Sequence, residues 1–130
     1  MYCLDSDVVI AHFRGDNSIK WHLDTLSADE LFITPVTLCE LYRGVYLSRT
    51  PEKDRFLVRR LLERVHLLNF DLPACEIFGD AYKLLRQSGK LTQDSDLMIA
   101  SICISNNATL ITRNKKHFEN IKGLKIEEWQ

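Results

Sequence analysis

Residues 96–112, DLMIASICISNNATLIT, decide how the rest of the chain is to be read. The segment from Asp96 to Ser105 is apolar almost all round, with Leu97, Met98, Ile99, Ala100, Ile102, Cys103 and Ile104, which is the composition of a central buried helix. Thr109-Leu110-Ile111-Thr112 follows as a short strand. Working outward, the same alternation recurs. Residues 1–4 form a strand ending at Asp5, followed by a helix to about Phe13 that Arg14-Gly15-Asp16 closes, and a second helix runs from Asn17 to Leu26 with Ile19, Leu23 and Leu26 on one side. Leu31-Phe32-Ile33 is a buried strand stopped by Thr34-Pro35, and a helix over Val36–Leu47 follows with Pro35 near its first turn, where a missing N–H costs nothing. Thr50-Pro51-Glu52 opens a helix to about Arg64, whose stripe is Phe56, Leu57, Arg60, Leu61 and Arg64. A strand over 65–70, a helix capped by Asp71 and ended by Ser88-Gly89, and a last strand at Leu124-Lys125-Ile126 complete the pattern. Short apolar strands separated by helices predict a three-layer α/β/α domain over 1–130, with a central, mostly parallel sheet of four to five strands.

Composition agrees with that class. The chain has 130 residues, 45% hydrophobic and 27% charged, enough for one domain with its own core. Disordered, collagen-like and disulfide-scaffold classes are excluded by the same numbers. No apolar run approaches the ~18–20 residues of a membrane span, and MYCLDSD lacks the basic start of a secretory signal, so a cytoplasmic location is expected. Cys3, Cys39, Cys75 and Cys103 show no C-x-x-C and sit among apolar neighbours, which predicts buried free thiols. The net charge of −1 conceals segregation: residues 1–40 carry seven acids and two bases, residues 43–64 seven bases and three acids, and residues 113–125 five bases and one acid. An acidic spot beside basic segments suits an anionic substrate processed through metal ions, although basic residues on amphipathic helices also simply solvate them.

In open parallel sheets, ligands bind outside the carboxyl ends of the strands. Asp5 follows the first strand, Glu40 lies about a turn into the helix after Pro35, Asp96 opens the apolar helix with Asp94 two residues before it, and Asn114 follows the 109–112 strand. Helix starts tolerate acids structurally, so Asp5, Asp94 and Asp96 taken singly read equally well as caps. Glu40 among Val36, Leu38, Cys39, Leu41 and Val45 is harder to explain that way, because burying an unpaired carboxylate is costly. If the strand ends converge, the acids share a cleft and repel unless a cation intervenes. Oxygen ligands without histidine or cysteine select Mg²⁺, or Mn²⁺, over zinc, and point to phosphodiester hydrolysis by a metal-activated water. The histidines His12, His22, His66 and His117 form no ligand pair and read as structural or surface residues, and Trp21 and Trp129 as packing residues. Arg43, Arg86, Arg113, Lys115 and Lys116 are candidate phosphate contacts, with a solvated face as the plainer reading.

These motifs together resemble a known family. L-D-S-D-V-V-I-A at 4–11 looks like the D-T-N-x-x-I opening of PIN-domain nucleases. Residues 36–44, VTLCELYRG, are similar to the second motif, 96–101 to the D-x-x-I-A-A third motif, and 110–118 with Gly123-Leu124 and Glu128-Trp129 to the closing T-x-D/N-x-x-x-F…G-L segment. Within the family, the resemblance is to the VapC-like toxins of toxin–antitoxin systems. It implies a Mg²⁺-dependent endoribonuclease, homodimeric, and held inactive by an antitoxin protein whose tail fills the active-site groove. Asp5, Glu40 and Asp96 match the family's metal-binding acids, with Asp94 as a further acid able to reach metal directly or through water. Thr112 matches a hydroxyl that orients the first acid. Asn114 departs, standing where many relatives have Asp, and Glu119 is a candidate to supply the missing carboxylate or to form a surface ion pair. Asp7 replaces the usual Asn, either bonding a backbone group or extending the acidic cluster.

Two other classes fit parts of the sequence. Asp5-Ser6-Asp7 resembles the D-x-D nucleophile pair of haloacid-dehalogenase-like phosphatases, with Asp5 as nucleophile, but no acidic pair follows a late strand. An interaction module with weakened catalysis is allowed by Asn114 and opposed by the retention of Asp5, Glu40 and Asp96.

Overall fold

The side chains of the short strands alternate between two buried faces, and that alternation builds the three layers. In the computed structural model, which describes residues 1–129, β1 (Tyr2–Leu4), β2 (Leu31–Ile33), β3 (His66–Leu67), β4 (Thr109–Ile111) and β5 (Lys125–Glu127) form one sheet in the order β3-β2-β1-β4-β5. Every pairing is parallel, so the expected mostly parallel sheet is parallel throughout its five strands. Cys3 and Leu110 face one core; Leu4, Leu31, Ile33 and Ile111 face the other.

The helices α1 (Ser6–Phe13), α2 (Asn17–Thr25), α3 (Pro35–Leu47) and α4 (Pro51–Leu62) supply the second of these cores with Val8, Val9, Ile19, Leu23, Leu41, Val45, Val58 and Leu61. Helices α5 (Leu72–Gln87) and α6 (Asp94–Ser105) cover the opposite face through Ala74, Leu85, Leu97, Ile99, Ile102 and Cys103. The chain steps outward from β1 to β3 and then returns to the far side of β1. Reversing direction while keeping right-handed crossovers puts the returning helices on the other face.

Local chemistry sets most boundaries. Asp16, Thr34 and Asp71 cap α2, α3 and α5 by accepting the N–H of Ile19, Thr37 and Ala74. Gly89 (φ 70°) ends α5, with the Lys90 N–H returning to the Leu85 carbonyl at 2.8 Å. Asn107 (φ 54°) ends α6 in the same way, the Ala108 N–H reaching the Cys103 carbonyl at 2.9 Å. The Ser105 hydroxyl contacts the Asp71 carboxylate at 3.3 Å, tying the end of α6 to the start of α5. The two helices therefore run antiparallel, and the last turn of α5 lies beside the start of α6.

Several expectations change. The strand expected over 65–70 shrinks to two paired residues; beyond the Leu68 N–H bond to the Ile33 carbonyl the chain turns toward the Asp71 cap. Helix α6 begins at Asp94 rather than Asp96, which leaves Asp94 exposed and puts Asp96 in the first turn. Cys39 and Cys75 are exposed, because Thr37, Leu41 and Val45 define the buried side of α3 and Ala74 that of α5; only Cys3 and Cys103 are buried thiols. Trp21 is exposed, lying on the side of α2 away from Ile19 and Leu23, whereas Trp129 is buried. Phe56 is also exposed, since Val58 and Leu61 form the inward side of α4. Among the described residues no helix is long and apolar enough to cross a membrane.

This assignment separates two apolar residues that look alike in the sequence. Ile99→Ala is expected to cost about 2–5 kcal/mol and Phe56→Ala no more than about 0.5 kcal/mol, as read by urea unfolding.

Candidate active site

The strand order places the carboxyl ends of β1 and β4 side by side, at the point where the chain switches direction across the sheet. The Asp5 N–H extends the ladder by donating to the Ile111 carbonyl at 2.9 Å, which aligns Asp5 with Thr112. The Thr112 hydroxyl donates to Asp5 Oδ2 at 2.9 Å, and the Ser6 N–H donates to Asp5 Oδ1 at 2.8 Å. Thr112 Oγ1 accepts the Asn114 N–H at 3.0 Å, so the hydroxyl is oriented from both sides. Its single proton goes to Asp5 in preference to Asp7 Oδ2, which lies at 3.4 Å and takes the Arg113 N–H at 2.9 Å instead.

Glu40 arrives from α3 and Asp96 from α6, two helices that pack against each other. Asp5 and Asp96 are buried, at 6% and 8% exposure, and Glu40 is half-buried. Burial pushes the Asp5 carboxyl up to about 7, helped by the Asp7 and Glu40 charges and opposed by its bonds from Thr112 and Ser6. Burial also raises Glu40, with the Asp96 and Asp7 charges adding and Arg43 and Ser6 opposing. Asp96 is raised by burial and by Asp7, and His117 opposes.

Glu40 Oε1 and Asp7 Oδ1 are buried with no hydrogen-bond partner among the described residues. Oxygens left in that state, beside carboxylates whose charges repel, fit a cation between them. Among the described residues no three acidic, histidine or cysteine side chains close tightly enough to enclose an ion directly. The donors are carboxylate oxygens without cysteine or a histidine pair, a set that suits a hard cation such as Mg²⁺, which takes one or two carboxylates directly and keeps several waters.

The other candidates sit around this cluster or apart from it. Asp94 is exposed on the first turn of α6. Arg43 lies near Glu40, one turn along α3. The Arg113 guanidinium is engaged by the Asp16 carboxylate, which it holds below the usual carboxylate range. Arg86, on the last turn of α5, returns to the edge where α6 begins. Lys115 and Lys116 share a short 3-10 turn with His117, and Lys116, Lys90, Thr92 and His117 line a common hollow of about 320 Å³. Glu119 is not brought to the acids; it lines a separate groove with Ile77, Asp80 and Leu84.

One residue escapes the sequence reading. His117 Nδ1 lies 3.5 Å from Asp96 Oδ2, whereas His22 stacks on Trp129 and His66 pairs with Asp29. The available signal was position: His117 follows Asn114 by one turn, and its neighbour Phe118 is fully buried and anchors that turn over the sheet end.

The family model described as "PIN domain" matches residues 2–124. Ribonuclease VapC2 of Rickettsia felis is 31% identical, over 99% of this chain and 98% of its own length. The tRNA(fMet)-specific endonuclease VapC of Shigella flexneri is 27% identical, over 98% of this chain and 97% of its own. The crystal structure of VapBC2 from Rickettsia felis bound to a promoter DNA fragment aligns with a TM-score of 0.92 at 30% identity, covering 99% of this chain and 98% of that one.

The raised Asp5 pKa has a consequence for stability. An acid that titrates higher when folded than unfolded stabilises least when ionised, so its contribution declines from the unfolded value near 4 up through about 7. In EDTA, wild type is expected to lose about 2–3 kcal/mol relative to Asp5→Asn between about pH 5 and about pH 8. Parallel denaturant titrations of the two proteins measure this directly; parallel pH profiles would contradict it.

Proposed function

This chain belongs to the PIN-domain family, among its VapC ribonucleases, and on that premise we propose that it is a Mg²⁺-dependent endoribonuclease toxin hydrolysing RNA phosphodiester bonds at the Asp5, Glu40 and Asp96 cluster. The observation that carries this reading is the gathering of buried, mutually repelling carboxylates with unpartnered oxygens at the sheet's switch point. Asp5, Glu40 and Asp96 would hold the ion, Mn²⁺ serving in place of Mg²⁺. When bound, a divalent ion lowers the pKa of water and neutralises charge on the departing oxygen.

The protein's own share is positional. Thr112 and the Ser6 N–H hold both oxygens of Asp5, so its carboxylate has one orientation before substrate arrives. Arg43 and His117 moderate the charges of Glu40 and Asp96. Lys115, Lys116 and Arg86 offer cations at the rim for phosphates on either side of the cleaved bond, and Arg113, bound to Asp16, stiffens the loop after β4. Direct attack by water, with no covalent intermediate, is the course this reading takes, the Ser6 hydroxyl being bonded to Glu40 and His117 lying against Asp96. The likeness to VapBC2 supports a cognate antitoxin as partner. A homodimer is the toxin assembly that this reading takes.

Asp5→Ala and Asp96→Asn are each expected to lower RNA cleavage by more than about a hundredfold, since even outer partners of metal ligands are worth 10–100-fold. End-mapping of cellular RNA after brief expression reads the loss, with an initiator tRNA in the substrate panel and circular dichroism to show that both variants fold. Undiminished cleavage by folded Asp5→Ala would sink the metal-site reading. A phosphate mimic trapped covalently on Asp5 would favour phosphatase chemistry instead, and metal-dependent RNA cleavage with no trapped species would exclude it.

A further inference from the structure

Asp7 stands apart from an ordinary helix-start acid. Its Oδ2 accepts the Arg113 N–H at 2.9 Å and lies 3.4 Å from Thr112 Oγ1, the hydroxyl that holds Asp5. Its Oδ1 is buried and has no hydrogen-bond partner among the described residues. Leaving a carboxylate oxygen in that condition is expensive, so the oxygen needs something to face. Thr112 Oγ1 thus stands between two carboxylates, 2.9 Å from Asp5 Oδ2 and 3.4 Å from Asp7 Oδ2, which puts Asp7 beside Asp5 rather than at the margin.

The other positions with a claim to the fourth carboxylate do not fill it, Asp94 being exposed on the first turn of α6. Asn114 is an uncharged amide whose backbone N–H is spent on the Thr112 hydroxyl. Glu119 faces the groove beside α5. We infer that Asp7 is the fourth carboxylate facing the cation in this protein, carrying from α1 the charge that position 114 lacks. Thr112 links the two positions, since its hydroxyl contacts the Asp7 carboxylate and accepts the Asn114 N–H, so charge moved from one to the other stays at the same edge of the cluster. The inference rests on the metal-dependent reading above and specifies which side chains complete that site.

The competing explanation is that Asp7 only staples α1 to the Arg113 backbone. Asparagine at position 7 keeps an oxygen for that N–H and removes only the charge, so the explanations part cleanly. Mn²⁺ binding to the metal-free full chain, followed by titration calorimetry, is the test. Asp7→Asn is expected to weaken Mn²⁺ by about 10-fold or more, Glu119→Gln to leave it unchanged, and Asp7→Asn with Asn114→Asp to restore most of the lost affinity. Restoration is the decisive readout, because a carboxylate at 114 cannot replace a lost staple at 7. Wild-type affinity in Asp7→Asn, or no recovery in the double variant, overturns the assignment while leaving the nuclease reading intact. Failure of the wild-type chain itself to bind Mn²⁺ overturns both.

Discussion

Parallel pairing of β1 with β4, Cys3 opposite Leu110 and Leu4 opposite Ile111, is the constraint on which the rest of the molecule depends. It joins residues more than a hundred positions apart and makes the first and fourth strands neighbours at the centre of the sheet. The last rung, from the Asp5 N–H to the Ile111 carbonyl, leaves Asp5 and Thr112 at the same height, with no shorter route to the hydroxyl–carboxylate bond. Everything chemical is then arranged around that pair. Helix α1 brings Asp7, α3 brings Glu40 and α6 brings Asp96, because all three helices begin at the carboxyl edge.

The site works against the fold that carries it. Buried acids that repel each other oppose folding, and the structure offsets this with a few directed donors: Thr112 and Ser6 on Asp5, Arg113 on Asp7, and the nearby cations Arg43 and His117. The donors are too few to satisfy every oxygen, which is why Asp7 Oδ1 and Glu40 Oε1 remain without partners. Two apolar cores, one on each face of the sheet, supply the stability this arrangement consumes. Helix α6 joins the two demands in one element: Asp96 in its first turn serves the site, while Leu97, Ile99, Ile102 and Cys103 bury the rest.

Helices and strands were legible wherever a residue's neighbours along the chain settle its environment. Caps at Asp16, Thr34 and Asp71, the turn at Gly89 and the buried character of α6 follow from local chemistry. Four of the errors share one cause. Cys39, Cys75, Trp21 and Phe56 are apolar enough to read as core, yet each lies on a helical face that the sheet does not cover. The strand expected at 65–70 failed because an edge strand has one neighbour, and pairing stopped where β2 ended. His117 was passed over because its contact with Asp96 depends on how the turn after β4 folds back.

The sequence by itself determined the class of the protein: alternating apolar runs for a layered α/β sheet, and acids placed after strand ends within the motifs of a PIN domain. Those properties are encoded locally, by period and by residue type. Only the tertiary structure decided which acids share a cleft. It gathered Asp5, Asp7, Glu40 and Asp96, sent Glu119 to another groove and tied Arg113 to Asp16. The physical reason is that carboxylate repulsion and hydrogen bonding act over a few ångströms in space, and strand order, which no local pattern records, sets those distances.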